Sequence, residues 1–275
     1  MSGGLDRPGD VGSPAGDDLA AWAQALRAGL VQPPRRARLP LWAGAARIGS
    51  VEPGYLEGLE APVRPETRAG AEGWAVQGEP GAALRQVALA LRAAGRAHAW
   101  RDEQLGVPDA TGRRIATVER AVVRGLGIQT YAVHLVGTAP DGRHWLQQRA
   151  LTKANDPGLW DTLMGGMVSA ADSLEQALAR ETWEEAGLRV EALRGVAWGG
   201  RLTFRRPSTD CAGAGFVVED IDWFRCTVPD GVVPVNQDGE VERFELVEPG
   251  EVAARLRGGT FTLEAALILV HAIGL

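Results

Sequence analysis

From Asp17 to about Val31 the chain reads DDLAAWAQALRAGLV, with apolar residues at helical spacing behind an acidic cap. The pattern predicts a first helix, ended by Pro33-Pro34, and Arg35, Arg36 and Arg38 then read as a solvated turn. From Leu39 to about Trp74 the period shortens to strands and turns, and a helix of good propensity is expected over about Ala82 to Gly95. The stretch GRRIATVERAVVRGLGI reads as a basic strand or turn leading into a helix that ends near Gly125 or Gly127. Around Gln129 alternation takes over: TYAVHLVGTA, a turn at Pro140-Asp141-Gly142, then HWLQQRAL, the pattern of a β-hairpin. VEALRGVAWGGRLTFRR and FVVEDIDWFRCTV add strands of a mixed sheet. A turn at Asp238-Gly239-Glu240, the strand VERFELVEP, a short helix near 250 to 257 and an apolar helix near Leu263 to Ile273 complete the chain.

One segment breaks this texture. In GGMVSAADSLEQALARETWEEAGL, residues 165 to 188, a glycine pair precedes Asp172-Ser173, a helix N-cap signal, and the helical run stops at Gly187. A helix of about four turns is predicted. Glu181, Glu184 and Glu185 stand at i, i+3 and i+4, so they share one face. Carboxylates this close repel one another, and a divalent cation removes the conflict; hard oxygen ligands suit Mg2+ or Mn2+. An arbitrary E-x-x-E-E is more often a solvated acidic face. Here the preceding Arg180, the glycine turn and the C-cap argue for more.

Composition narrows the context. A 45% apolar fraction supplies a core, and the 275 residues accommodate two small domains. A net charge of -6 argues against a general nucleic-acid binder. The two cysteines, Cys211 and Cys226, suggest neither a disulfide framework nor a zinc site, which fits a reducing compartment. The start of the chain lacks the features of a signal peptide, and no apolar run reaches a membrane span, so a cytoplasmic location is expected. Residues 1–16 are rich in Gly, Pro, Asp and Ser and are expected to be a disordered tail. Lys153 is the sole lysine among many arginines, which is suggestive of a specific role.

The carboxylate segment resembles the Nudix box: Gly166, Arg180, Glu181, Glu184, Glu185, Gly187 and Leu188 match its pattern in register. Asp172 stands where that family has Glu, and Thr182 where it has an aliphatic residue, so the pairing at the helix start is in question. The resemblance implies an α/β/α sandwich with a mixed sheet over residues 120–275, preceded by a small α+β domain over 17–119. The strings WRDE at 100–103, ERAVVRGLGIQTYAVHLVG at 119–137, QRALTKANDPGLWDTLMGGMVSA at 148–170, EDIDWFRCTVP at 219–229 and QDGEVERFEL at 237–246 are similar to a subfamily with an added N-terminal domain. It includes the Nudix portion fused to fungal thiamine pyrophosphokinase and chloroplast-targeted plant Nudix hydrolases.

That resemblance implies metal-assisted hydrolysis of a small-molecule diphosphate, thiamine diphosphate or its oxidised oxo and oxy forms, to the monophosphate. Glu181, Glu184 and Glu185 would be the metal ligands with the Gly165 carbonyl, and Arg180 would orient the cluster. Glu181 is the first choice of general base, and Glu240 or Glu242 would supply a further ligand or the base itself, each equally readable as a solvated strand residue. Arg149 and Lys153 are candidate clamps for the diphosphate, against surface solvation as the alternative. Trp100, Arg101 and Glu103 are candidates to read the organic half, and Trp160 reads more readily as core. The runner-up substrates are an oxidised nucleoside triphosphate, ADP-ribose or a dinucleotide. Isopentenyl diphosphate isomerase is disfavoured because the segment from Trp160 to Gly166 has no cysteine. A non-catalytic ligand sensor of the same fold is the rival from another class, and a homodimer stays open.

Overall fold

The computed structural model describes residues 19–274. The expected tail of residues 1–16 and the acidic cap of the first helix lie outside them. Helix α1 (Leu19–Ala28) is followed by strands β1 (Leu39–Ala43), β2 (Ala46–Val51), β3 (Val63–Arg68) and β4 (Ala71–Val76), which form one sheet in the order β2-β1-β4-β3. Helix α2 (Pro80–Ala93) packs on it through Leu84, Val87, Ala88 and Leu91. A separate hairpin of β5 (Gln104–Pro108) and β6 (Arg114–Glu119) follows.

The second sheet is larger. Its members are β7 (Thr130–Thr138), β8 (His144–Arg149), β9 (Trp160–Asp161), β10 (Met164–Met167), β11 (Arg194–Pro207), β12 (Phe216–Thr227) and β13 (Val241–Val247). The main path runs β11-β12-β7-β8-β13, with β10 on β7 and β9 on β8. The β7–β12 pair is parallel and the others are antiparallel, so the sheet is mixed as expected. Alternation along β7 explains the layering. Val133 and Leu135 pack with Ala177, Leu178 and Ala186 of α3 (Leu174–Ala186), whereas Ala132 and Val136 pack with α5 (Leu263–Ala272). The result is an α/β/α sandwich.

Helix α4 (Pro249–Arg257) adds Val252 and Leu256 to the α5 side. Helix α1, adjacent in sequence to the first sheet, also packs here through Trp22, Ala23 and Leu26. Trp160 is core, as its pattern suggested, with the Arg255 guanidinium 4.7 Å from its ring.

Two local expectations are corrected. Arg38 is no solvated residue: its guanidinium donates to Ser50 O (2.6 Å), Ser50 Oγ (3.0 Å), Gly125 O (3.0 Å) and Ala214 O (2.9 Å), tying three separate stretches together. The helix expected up to Gly125 or Gly127 is only a 3-10 turn over Arg120–Val122, followed by further turns. Tyr55 and Ser50 crowd that segment. A side chain at Gly125 would meet the Tyr55 hydroxyl at 2.1 Å, and Gly127, at φ 53°, lies against Ser50 O.

Candidate active site

The carboxylate helix is positioned by its ends. Ser173 Oγ accepts from Gln176 N–H (3.2 Å) and Gln176 Oε1 accepts from Ser173 N–H (2.7 Å), a reciprocal capping box. Gly187 closes the other end at φ 63°, a conformation that favours glycine. Thr182, in its unusual place, is fully buried and turns its hydroxyl back to Leu178 O (2.6 Å). Asp172 keeps the helix-start pairing in spite of its shorter reach: its Oδ2 accepts from Arg180 Nε at 2.8 Å.

Arg180 then reaches Glu181 Oε1 and Glu184 Oε2, both at 2.9 Å, and Met167 O at 3.2 Å. It thereby ties the helix to the glycine turn. The turn itself leaves no room for side chains. A Cβ at Gly166 would stand 2.1 Å from the Glu181 carboxylate carbon, and one at Gly165 would stand 2.4 Å from the His134 ring.

The three glutamates are unequal. Glu185 is 2% exposed; its Oε2 accepts from Gly165 N–H and from Gln147 Nε2, each at 2.9 Å, and burial raises its pKa against the pull of Lys153. Burial also pushes Glu181 up to about 7, opposed by Arg180 and reinforced by Glu185 and Glu184. Glu184 is 42% exposed and faces Arg180. Beyond them Lys153, 12% exposed, lies between Glu185 Oε1 (3.5 Å) and Glu240 Oε2. Burial would raise Glu240, but Lys153, with Arg101 and Arg120, outweighs it and leaves the carboxyl below its ordinary range.

These groups line a cavity of about 250 Å³ that also takes in Arg101, Glu103, Arg120, His134, Arg149 and Glu219. Every expected site residue except Trp100 and the alternative Glu242 therefore faces one space. Trp100 stands off it, with Arg92 over its ring at 4.4 Å and its Nε1 donating to Asp102 (2.7 Å). Of the two acidic candidates after the box, Glu240 lines the cavity and Glu242 is exposed elsewhere. Arg149 is committed to the protein, donating to Asn155 O (3.0 Å) and Asp161 Oδ2 (3.4 Å).

Sequence reasoning missed Arg120, His134, Glu219 and Asp238. His134 supports the turn from below: burial lowers its pKa, so it is neutral near pH 7. Because the Thr162 hydroxyl donates to Met164 O (2.8 Å), it accepts at 3.0 Å from His134, which fixes the proton on Nδ1.

The donor set suits a hard divalent cation, since four carboxylates, Glu181, Glu184, Glu185 and Glu240, line one cavity. Among the described residues no three acidic, histidine or cysteine side chains stand in a geometry that would hold a metal ion as they are. The arginine and the lysine take the carboxylate oxygens instead.

A mixed sheet between two helical layers, with a capped carboxylate helix docked on a glycine turn, belongs to a known class of α/β/α sandwich. The profile described as the NUDIX domain matches residues 129–265. An uncharacterised Nudix hydrolase from Streptomyces coelicolor is 31% identical over 57% of this chain and 89% of its own length. The chain belongs to the Nudix family, whose members generally use divalent metal cations. It is also 30% identical to the chloroplastic Nudix hydrolase 24 of Arabidopsis thaliana, over 56% of this chain, and spans only 42% of that relative's length. A third relative, the isopentenyl-diphosphate Delta-isomerase of Agromyces mediolanus, is 30% identical over 58% of this chain and 75% of its own. Among the described residues no helix is long and apolar enough to cross a membrane.

Proposed function

We propose that the protein hydrolyses the diphosphate linkage of a small organic diphosphate, with Mg2+ or Mn2+ held by Glu181, Glu184 and Glu185 and completed by Glu240 and the Gly165 carbonyl. The observation that carries this reading is the meeting, in one cavity, of the box glutamates with Arg101, Arg120, Arg149 and Lys153. When bound, the cation supplies Lewis-acid polarisation of the phosphoryl oxygens. Glu181 accepts the proton of the attacking water, and Arg180, bonded to two of the glutamates and to Met167 O, keeps the helix in register with the turn. Lys153 leaves Glu240 for a phosphate oxygen as substrate enters.

Thiamine diphosphate and its oxo and oxy forms are the substrates we favour. Support comes from the resemblance of WRDE and the flanking strings to the plant and fungal group. ADP-ribose and oxidised nucleotides are the second substrate class. The isomerase name of one relative brings a further reading, yet neither Cys211 nor Cys226 lines the cavity.

The test is a substrate screen of purified protein with Mg2+ or Mn2+ against thiamine diphosphate, oxythiamine diphosphate, ADP-ribose, 8-oxo-dGTP and isopentenyl diphosphate. Phosphate release from the thiamine compounds at the highest kcat/KM is expected. Tight binding of one compound with no turnover of any would replace the enzyme with a sensor.

A further inference from the structure

Strands β5 and β6 lie outside the residues matched by the NUDIX profile, yet the end of their hairpin opens into the cavity. The hairpin is fastened to the segment just after the glycine turn. Leu105 bridges Ser169, Ala170 N–H donates to Gln104 O at 2.8 Å, and Arg114 donates to Ala170 O. At the cavity end Glu119, 2% exposed, accepts from Arg101 N–H (3.1 Å), Ala121 N–H (3.4 Å) and Gln104 Nε2 (3.4 Å). Arg120 N–H donates to Glu103 O at 2.9 Å. The backbone of both arginines is therefore fixed.

Their side chains are less committed. Arg120 Nη1 donates to Glu103 Oε2 at 2.6 Å, and Arg101 Nη1 lies 4.0 Å from Glu240 Oε1. No further hydrogen bond runs from either guanidinium to a described residue, and each is 38% exposed. A guanidinium presents five donors in a planar fork, so most of them face the cavity without a protein acceptor. The box glutamates line the same cavity.

We infer that Arg101 and Arg120 form a second anion clamp, which holds the terminal phosphate of a diphosphate monoester while the box glutamates face the linkage. The clamp rests on the hydrolase reading above. A terminal phosphate carries more charge and more free oxygens than either phosphorus of a diphosphate diester, and paired forks reward that difference. Glu103 aligns Arg120 without saturating it. The chain therefore selects monoesters of diphosphate over diesters such as dinucleotides.

Calorimetric titration with methylenediphosphonate and Mg2+ tests the clamp without turnover. Arg101→Gln and Arg120→Gln should each weaken binding at least tenfold, and Arg120→Lys should recover only part of the loss because it restores charge without the fork. In kinetics, the ratio of kcat/KM for a diphosphate monoester to that for its matched diester should fall at least tenfold in both Gln variants. Unchanged binding in folded variants, an equal loss on both ester classes, or no binding by the unaltered protein overturns the clamp. A wild-type protein that binds the phosphonate through both arginines but hydrolyses nothing overturns the hydrolase reading instead. Thermal unfolding of each variant identifies any that misfold, and the Lys variant then carries the test.

Discussion

Glu185 faces inward from α3 and meets the glycine turn, Gln147 and Lys153 at once. Glu185→Gln keeps the shape and removes the charge; turnover should drop at least ~100-fold with an unchanged circular dichroism spectrum. A rate near that of the wild type would remove Glu185 from the metal set. Lys153 makes a different prediction. Without it, Glu185 and Glu240 confront each other with no cation between them. Lys153→Met should lower the thermal midpoint by on the order of 2–4 °C, gain more from added Mg2+ than the wild type does, and raise KM for diphosphates. An equal response to Mg2+ in both proteins would show that the lysine does not stand in for a cation. Its uniqueness among arginines pointed to it. Nothing in the sequence pointed to its pairing with Glu240, which depends on β8 and β13 lying side by side.

At the level of elements, helix α3 was legible almost to the residue, since its signals are local: the capping box at Ser173 and Gln176, the i, i+3, i+4 glutamates, and Gly187. Ser173→Ala should cost about 1 kcal/mol, read as a shift in denaturant midpoint. Gly166→Ala should be far worse for activity than for folding, because the added methyl group meets the Glu181 carboxylate before anything else. A Gly166→Ala enzyme with normal turnover would mean that the turn and Glu181 move independently. The stretch 120–127 reads as a helix because its apolar spacing is helical, while the competing contacts, Tyr55 on Gly125 and Ser50 on Gly127, come from far along the chain. Arg38 escaped for the same reason: its four acceptors come from three distant segments.

For the whole molecule, the question is how the first sheet is held to the second. Asp210, in the loop after β11, accepts from Arg124 and lies 3.6 Å from His98. Burial alone would raise its pKa, but Arg124 outweighs that and holds the carboxyl below its ordinary value. A carboxyl lowered on folding adds stability that is complete above its unfolded value of about 3.9 and is lost as the pH falls through the lower, folded value. Asp210→Asn should therefore destabilise the protein at pH 7, and the gap in thermal midpoint to the wild type should close in strong acid. A gap that persists there would assign the loss to packing.

The docking of the β5–β6 hairpin onto residues 169–170 has a consequence for inheritance. The box glutamates sit on α3 beside its glycine turn, whereas Arg101, Glu103 and Arg120 arrive on a separate stretch pinned by the buried Glu119. Arg101, Glu103 and Arg120, at the open end of the hairpin, make none of the cap contacts of α3. If the clamp holds, ester preference is encoded on a stretch that can be exchanged apart from the carboxylate helix.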